Sequence, residues 1–151
     1  MDGEDLGALF AGVTRRLIDA ERPLLDAHGL SMWAYVALSH LARRPAGTQL
    51  ALAQAINYDK TRLIALLDGL EREGLITRTP DPADRRARIV QLTAAGRARH
   101  GAAQADIRAM EDELLAGLAA ADRTRLRRML ARLAHPGVSD PAATPPSPRA
   151  R

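Results

Sequence analysis

Ala53-Gln54-Ala55-Ile56-Asn57-Tyr58-Asp59-Lys60-Thr61-Arg62-Leu63-Ile64-Ala65-Leu66 is the stretch whose reading decides the fold. Two short helices that cross steeply need a small residue where their backbones approach. They also need a turn residue that tolerates positive φ, and apolar anchors on the second helix. Ala53 supplies the small residue. Asn57, four positions on, supplies the turn, because asparagine is the usual substitute for glycine in the left-handed region. Leu63 and Leu66, ten and thirteen positions after Ala53, supply the anchors. The stretch reads as a helix-turn-helix. Its first helix runs from a Thr48 cap to about Ala55. The second runs from an Asp59 cap to about Glu73, with Gly74 as the stop.

On the second helix Leu63, Leu66, Leu67 and Leu70 form the buried stripe, at spacings of one helical face. Thr61, Ala65, Asp68 and Arg72 lie opposite, flanked by Arg62. Lys60, Thr61 and Arg62 then occupy the first turn, the end of a recognition helix that enters a major groove. Arg62 can pair with a guanine edge, Thr61 can reach a base or phosphate, and Ala65 leaves room for close approach. The bland alternative is a solvated helix face.

Two stretches with strand character follow, Leu75 to Thr79 and Arg88 to Leu92, joined by the turn-rich Pro80-Asp81-Pro82-Ala83-Asp84-Arg85-Arg86. The hairpin carries Arg78, Arg85, Arg86 and Arg88 against Asp81 and Asp84, so its tip is basic. A protruding basic tip suits the narrow, strongly negative minor groove beside a helix in the major groove. Asp84, next to two arginines, is read as shaping the wing turn, since a carboxylate repels phosphate.

Outward from this centre, Leu6, Leu9, Phe10, Val13 and Leu17 predict an amphipathic first helix, interrupted by Pro23 and by His28-Gly29. Ser31 caps a helix carrying Trp33, Val36, Ala37 and Leu41, closed by Arg43-Arg44-Pro45-Ala46-Gly47. Thr93 caps a long fifth helix, on which Ile107, Met110, Leu114 and Leu118 form one stripe. Asp122 starts a sixth, with Leu126, Met129, Leu130 and Leu133 facing inward. Residues 136–151 hold five prolines among small polar residues and predict a disordered tail.

Composition agrees with a mainly α fold bearing a small β-hairpin wing. Hydrophobic residues make up 46% of the 151 and aromatic ones 3%. A core of Leu and Ala favours closely packed helices. The formal net charge is +4 and nearly all the positive charge is arginine, Lys60 being the only lysine. Such a balance points weakly to a polyanion. There is no cysteine, which removes disulfides, thiolate metal sites and thiol redox switches. The acidic start, Met1-Asp2-Gly3-Glu4-Asp5, is unlike a signal peptide, and the longest clean apolar run, Met32 to Leu38, is too short to span a bilayer. A cytoplasmic protein is expected.

The run Leu63 to Arg78, with Leu70-Glu71-Arg72-Glu73-Gly74-Leu75-Ile76-Thr77-Arg78, resembles the MarR family of bacterial regulators. So does Asp81-Pro82-Ala83-Asp84-Arg85-Arg86 followed by Val90-Gln91-Leu92-Thr93-Ala94-Ala95-Gly96. The likeness extends to Gly29-Leu30-Ser31 and Leu38 to Leu41, and covers roughly residues 6 to 135. The resemblance implies a winged-helix dimer with intertwined first, fifth and sixth helices. It further implies binding to pseudo-palindromic operators, most often as a repressor released by a small ligand or by oxidation. Arg86 matches the family's wing arginine, and Lys60, Thr61 and Arg62 its groove-reading turn. Tyr58 and Asp59 precede that turn where small or hydroxyl residues are commoner in the family, so base preference does not carry over. The lack of cysteine excludes the thiol-sensing branch.

These readings set the expectations. Residues 1–135 form one winged helix-turn-helix domain, with a DNA-binding core at about 31–92 and dimerisation helices at 1–28 and 93–135. Double-stranded DNA is read by Lys60, Thr61, Arg62, Ala65, Arg85, Arg86 and Arg88. Leu9, Val13, Leu118, Leu126, Met129, Leu130 and Leu133 form a homodimer, because the late helices carry apolar stripes that one small domain cannot cover. Trp33, Tyr35 and His40 line a pocket for a small-molecule effector, or are simply core. His28, His40, His100 and His135 lack metal-ligand spacing, and no nucleophile motif or glycine-rich phosphate loop is present, so no metal, cofactor or enzymatic activity is expected. The competing functions are a winged-helix module that binds protein, and an activator in place of a repressor.

Overall fold

The computed structural model describes residues 3–44 and 47–135. The expected tail at 136–151 lies outside them. The chain divides into two units, with the boundary between Glu111 and Asp112.

The first unit opens with α1 (Leu6–Ala27), capped by the Asp5 carboxylate on the Ala8 N–H. The helix passes straight through Pro23 and stops at His28-Gly29, so only the second of the two expected interruptions is real. Proline removes one N–H and leaves the Asp19 carbonyl without its helical donor. Both residues are exposed, so that carbonyl is open to water. Helix α2 (Met32–Arg43) starts on Ser31, whose hydroxyl accepts from the Ala34 N–H. Helices α3 (Gln49–Ala55) and α4 (Lys60–Arg72) form the helix-turn-helix, and α5 (Ala94–Leu114) begins after the wing.

Between α3 and α4 Asn57 takes φ 51°, the one described non-glycine residue with positive φ. The Tyr58 N–H returns to the Ala53 carbonyl at 2.9 Å and the Asn57 N–H to Gln54 at 3.3 Å, a left-handed helix stop. Gly74 ends α4 the same way, with φ 71°.

The sheet has three antiparallel strands in the order β1 (Gly47–Thr48), β3 (Arg88–Leu92), β2 (Ile76–Pro80). Register pairs Ile76 with Leu92 and Arg78 with Val90. The hairpin was expected, but β1 was not. Two residues are too few to leave an alternating pattern, and Thr48 reads locally as the helix cap it also is, accepting from the Ala51 N–H.

A single leucine-rich core joins these elements. Leu25, Leu38, Leu52, Leu63, Leu67, Leu75, Ile76 and Val90 are each no more than 2% exposed. Leu66 is half-buried at its edge. The wing meets α5 at a tight junction. The Thr93 hydroxyl donates to the Gly74 carbonyl at 2.6 Å and accepts from the Gly96 N–H at 3.0 Å, while the Thr93 N–H reaches the Leu75 carbonyl. A β-carbon on residue 96 would sit 1.9 Å from that same carbonyl oxygen. The leucine-threonine run followed by glycine is thus a packing requirement.

In the second unit α6 (Ala120–Ala134) begins two residues before the expected Asp122, which lies in its first turn, where a carboxylate complements the helix dipole. Leu118 does not extend the α5 stripe. The helix ends at Leu114 and residues 115–118 form turns, with Gly117, a weak helix former, among them. The inward orientation expected of the α6 residues is also not seen. No α6 residue is buried, Leu126 is half-buried, and Met129, Leu130 and Leu133 are exposed, Leu133 at 70%.

Gly96→Ala is expected to destabilise the protein by about 2 kcal/mol or more, since the clash is with backbone and not with a yielding side chain. Gly101→Ala in the same helix meets open space and should stabilise by about 0.5–1 kcal/mol. Urea unfolding of the two variants checks this; equal effects would mean the junction yields.

Candidate nucleic-acid interface

The Asp59 carboxylate accepts from the Arg62 N–H at 2.9 Å, fixing where α4 starts. Lys60, Thr61 and Arg62 are therefore held in its first turn, and all three are exposed, as is Ala65 one turn on. Buried Leu63, Leu67 and Leu70 hold the other face of α4 in the core, so this turn has one orientation.

The wing tip is shaped by its aspartates. Asp84 accepts from the Arg86 N–H at 3.0 Å, and Asp81 from the Ala83 N–H at 2.9 Å. The backbone closes through Asp81 N–H to the Ala87 carbonyl and Ala87 N–H to the Asp84 carbonyl. Arg85, Arg86 and Arg88 are all exposed.

The two elements meet at a groove of about 310 Å³, lined among others by Thr48, Lys60, Asp84, Arg86 and Arg88. The first turn of α4 and the wing thus face a common space. Among the described residues, no ion pair engages Lys60, Arg62, Arg85, Arg86 or Arg88. Arg78 differs. Its guanidinium is held by Asp68 and Glu71 of α4, each at 2.6 Å, and by Gln49 of α3 at 3.2 Å. Hydrogen bonding to Arg78 holds the Glu71 carboxyl below its usual range, and the Arg78 pKa is raised in return. Arg78 therefore drops out of the wing's outward charge.

The sequence profile of the MarR family matches residues 28–87, from the end of α1 to the wing tip. A solved structure of the transcriptional repressor CouR, bound to a 23-mer DNA duplex, is 30% identical over 87% of this chain and 93% of that one, with TM-score 0.77. This chain belongs to the MarR family. A MarR-family regulator from Rhodococcus sp. RHA1 is 27% identical over 89% of this chain and 98% of its own, with TM-score 0.78. CouR from Rhodococcus jostii RHA1 bound to p-coumaroyl-CoA, 24% identical over 91% and 96% with TM-score 0.75, shows the same fold. The mainly helical architecture and its three-stranded wing are those of the MarR family.

The three expected effector-pocket residues do not come together. The Trp33 ring stacks on Tyr58, with centroids 4.2 Å apart and planes at 26°, beside the helix-turn-helix. Tyr35 stacks instead on His100 at 5.4 Å. His40 takes neither partner, and its pKa is lowered by burial and by Arg43 and Arg44. Two residues apart on a helix point to nearly opposite sides, so Trp33 and Tyr35 cannot share a wall. The expected dimerisation residues Leu9 and Val13 are 48% and 52% exposed on α1, and Leu118 is 40% exposed. Among the described residues no group of three or more His, Asp or Glu side chains is placed to hold a metal ion, and no helix is long and apolar enough to cross a membrane.

Sequence reasoning missed the Arg78 network and the place of Thr48 and Gln49 beside the groove. A signal was present: Asp68 and Glu71 are acidic on a helix otherwise suited to an anion, and need a reason to be there.

His100 is buried, with Nε2 2.9 Å from the Ser39 hydroxyl, and its pKa is lowered by burial first and then by Arg43, Arg108 and Arg97. The unfolded chain takes up this proton near pH 6.5, whereas the folded chain resists until lower pH. The stability His100 contributes is therefore complete above about pH 6.5 and is lost as pH falls through the folded pKa. Urea unfolding between about pH 7 and 5 should show a steeper loss for the wild type than for His100→Gln. Parallel curves would contradict this.

Proposed function

We propose that the protein is a homodimeric, sequence-specific double-stranded DNA-binding transcriptional regulator that acts as a repressor and is released by a small-molecule ligand. The observation that carries the reading is the groove where unpaired Lys60 from α4 meets unpaired Arg86 and Arg88 from the wing. Helix α4 reads base edges in the major groove through Thr61 and Arg62, with Ala65 permitting close approach. The wing carries Arg85 and Arg86 to the adjacent minor groove. Repression and release by ligand are supported by two solved structures of proteins named CouR, one a transcriptional repressor bound to a DNA duplex and the other, from Rhodococcus jostii RHA1, bound to p-coumaroyl-CoA.

A twofold pair sets two recognition helices about one DNA turn apart, roughly 34 Å. Its interface draws on the exposed apolar residues Leu9 and Val13 of α1, on Leu118, and on Leu126, Met129, Leu130 and Leu133 of α6. In this arrangement residues 31–92 form the DNA-binding core, with 1–28 and 93–135 as the dimerisation helices.

Arg86→Ala is expected to weaken duplex binding by about tenfold and to lower the slope of log affinity against log salt by about one, without altering the melting temperature. A salt titration of wild type and variant measures both. A flat response in the wild type would favour a protein-binding module. Leu130→Asp should sediment as a monomer or aggregate, because it sets a charge in the apolar face of α6; a dimer of unchanged mass would remove α6 from the interface.

A further inference from the structure

The exposed stripe of α4 that carries Thr61 and Ala65 continues through Asp68. A carboxylate there, with Glu71 one turn on, opposes the approach of phosphate. Both are paired with a residue from another element. Strand alternation places Arg78 on the same face of β2 as buried Ile76, beneath α4, where its side chain is 16% exposed while those of Asp68 and Glu71 are 50% and 40% exposed. The guanidinium Nη2 donates to Asp68 Oδ1 and to Glu71 Oε2, Nε donates again to Glu71 Oε2 at 3.1 Å, and Nη1 donates to Gln49. The Arg78 N–H completes the set on Glu71 Oε1 at 3.2 Å. A planar fork meets these acceptors at once, and a lysine could not.

Resting on the DNA-binding reading above, we propose that Arg78 is a positioning residue that contacts no nucleic acid: it neutralises Asp68 and Glu71 on the recognition helix so that the helix meets the duplex without repelling it. A second consequence follows from the adjoining cavity of about 440 Å³, whose walls are Gln49, Glu71, Arg78 and Arg88. Glu71 shares that wall with Arg88, a cation needed at the groove. While Arg78 occupies both oxygens of Glu71, Arg88 stays available. Without Arg78, Glu71 is left to draw Arg88 into a pair within the chain.

The test uses the full chain and a random-sequence DNA duplex at low salt, with urea unfolding of each variant alongside. Arg78→Ala should bind about tenfold more weakly than wild type, because two carboxylates are uncovered. Adding Asp68→Asn and Glu71→Gln to it should restore binding to within about threefold of wild type, although no contact has been rebuilt. A role confined to bracing the fold would give no such recovery. Where Arg78→Ala does not fold, the pair Asp68→Asn/Glu71→Gln with Arg78 retained decides the matter. It should bind the duplex several-fold more tightly than wild type, and bracing alone predicts weaker binding. Equal affinity of Arg78→Ala and wild type, a triple variant as weak as Arg78→Ala, or a weaker double variant overturns the inference and leaves the DNA reading intact. A wild type with no salt-dependent duplex binding overturns both.

Discussion

The carbonyl oxygen of Leu75 occupies the place where any side chain on residue 96 would begin. That contact sets how closely α5 approaches the end of the recognition helix, and the surrounding bonds depend on it. Thr93 reaches the Gly74 and Leu75 carbonyls only because the first turn of α5 lies against them. Arg99, one turn further on, then pairs with Glu73 at the C-terminal cap of α4. The final turn of α4, the start of β2 and the start of α5 are thus joined by three polar contacts and one backbone-to-glycine packing contact. Displacing α5 at this point would displace the recognition helix with it.

The same unit divides its cations into two populations. Arg78 and Arg99 are held by carboxylates of α4 and its cap. Among the described residues, Lys60, Arg62, Arg85, Arg86 and Arg88 have no ion pair. Exposed ion pairs add little to stability, so leaving five cations unpaired costs the fold little. It preserves their attraction for a polyanion. The aspartates of the wing accept backbone N–H groups, and in doing so they shape the tip without neutralising its arginines.

Local chemistry made much of this legible. Ala53, Asn57 and Leu63 act at their own positions, by size, by tolerance of positive φ and by burial, and Leu66 packs half-buried against the same core. Ser31, Thr48, Asp59 and Thr93 cap helices because their oxygens reach N–H groups only three residues away. Errors arose where a partner distant in sequence decides. Strand β1 exists because β3 comes to it, and Pro23 is tolerated because its turn of α1 is exposed. Trp33 and Tyr35 stand two residues apart on α2, but Tyr58 and His100 take them to separate places.

By itself the sequence determined the six helices and the hairpin in their order, the caps at Ser31, Thr48, Asp59 and Thr93, the turns at Asn57 and Gly74, the buried leucines of α4 and the residues of the basic tip. Each of these follows from interactions within a few residues, or from the partition of apolar side chains away from water. Only the tertiary structure decided which charges remain available to a partner. Arg78 and Arg88 are indistinguishable as letters in one hairpin, and both lie on strands. Position along the hairpin separates them: register puts both on one face, but Arg78, opposite Val90, lies within reach of two carboxylates of α4, whereas Arg88, opposite Pro80, stands at the groove.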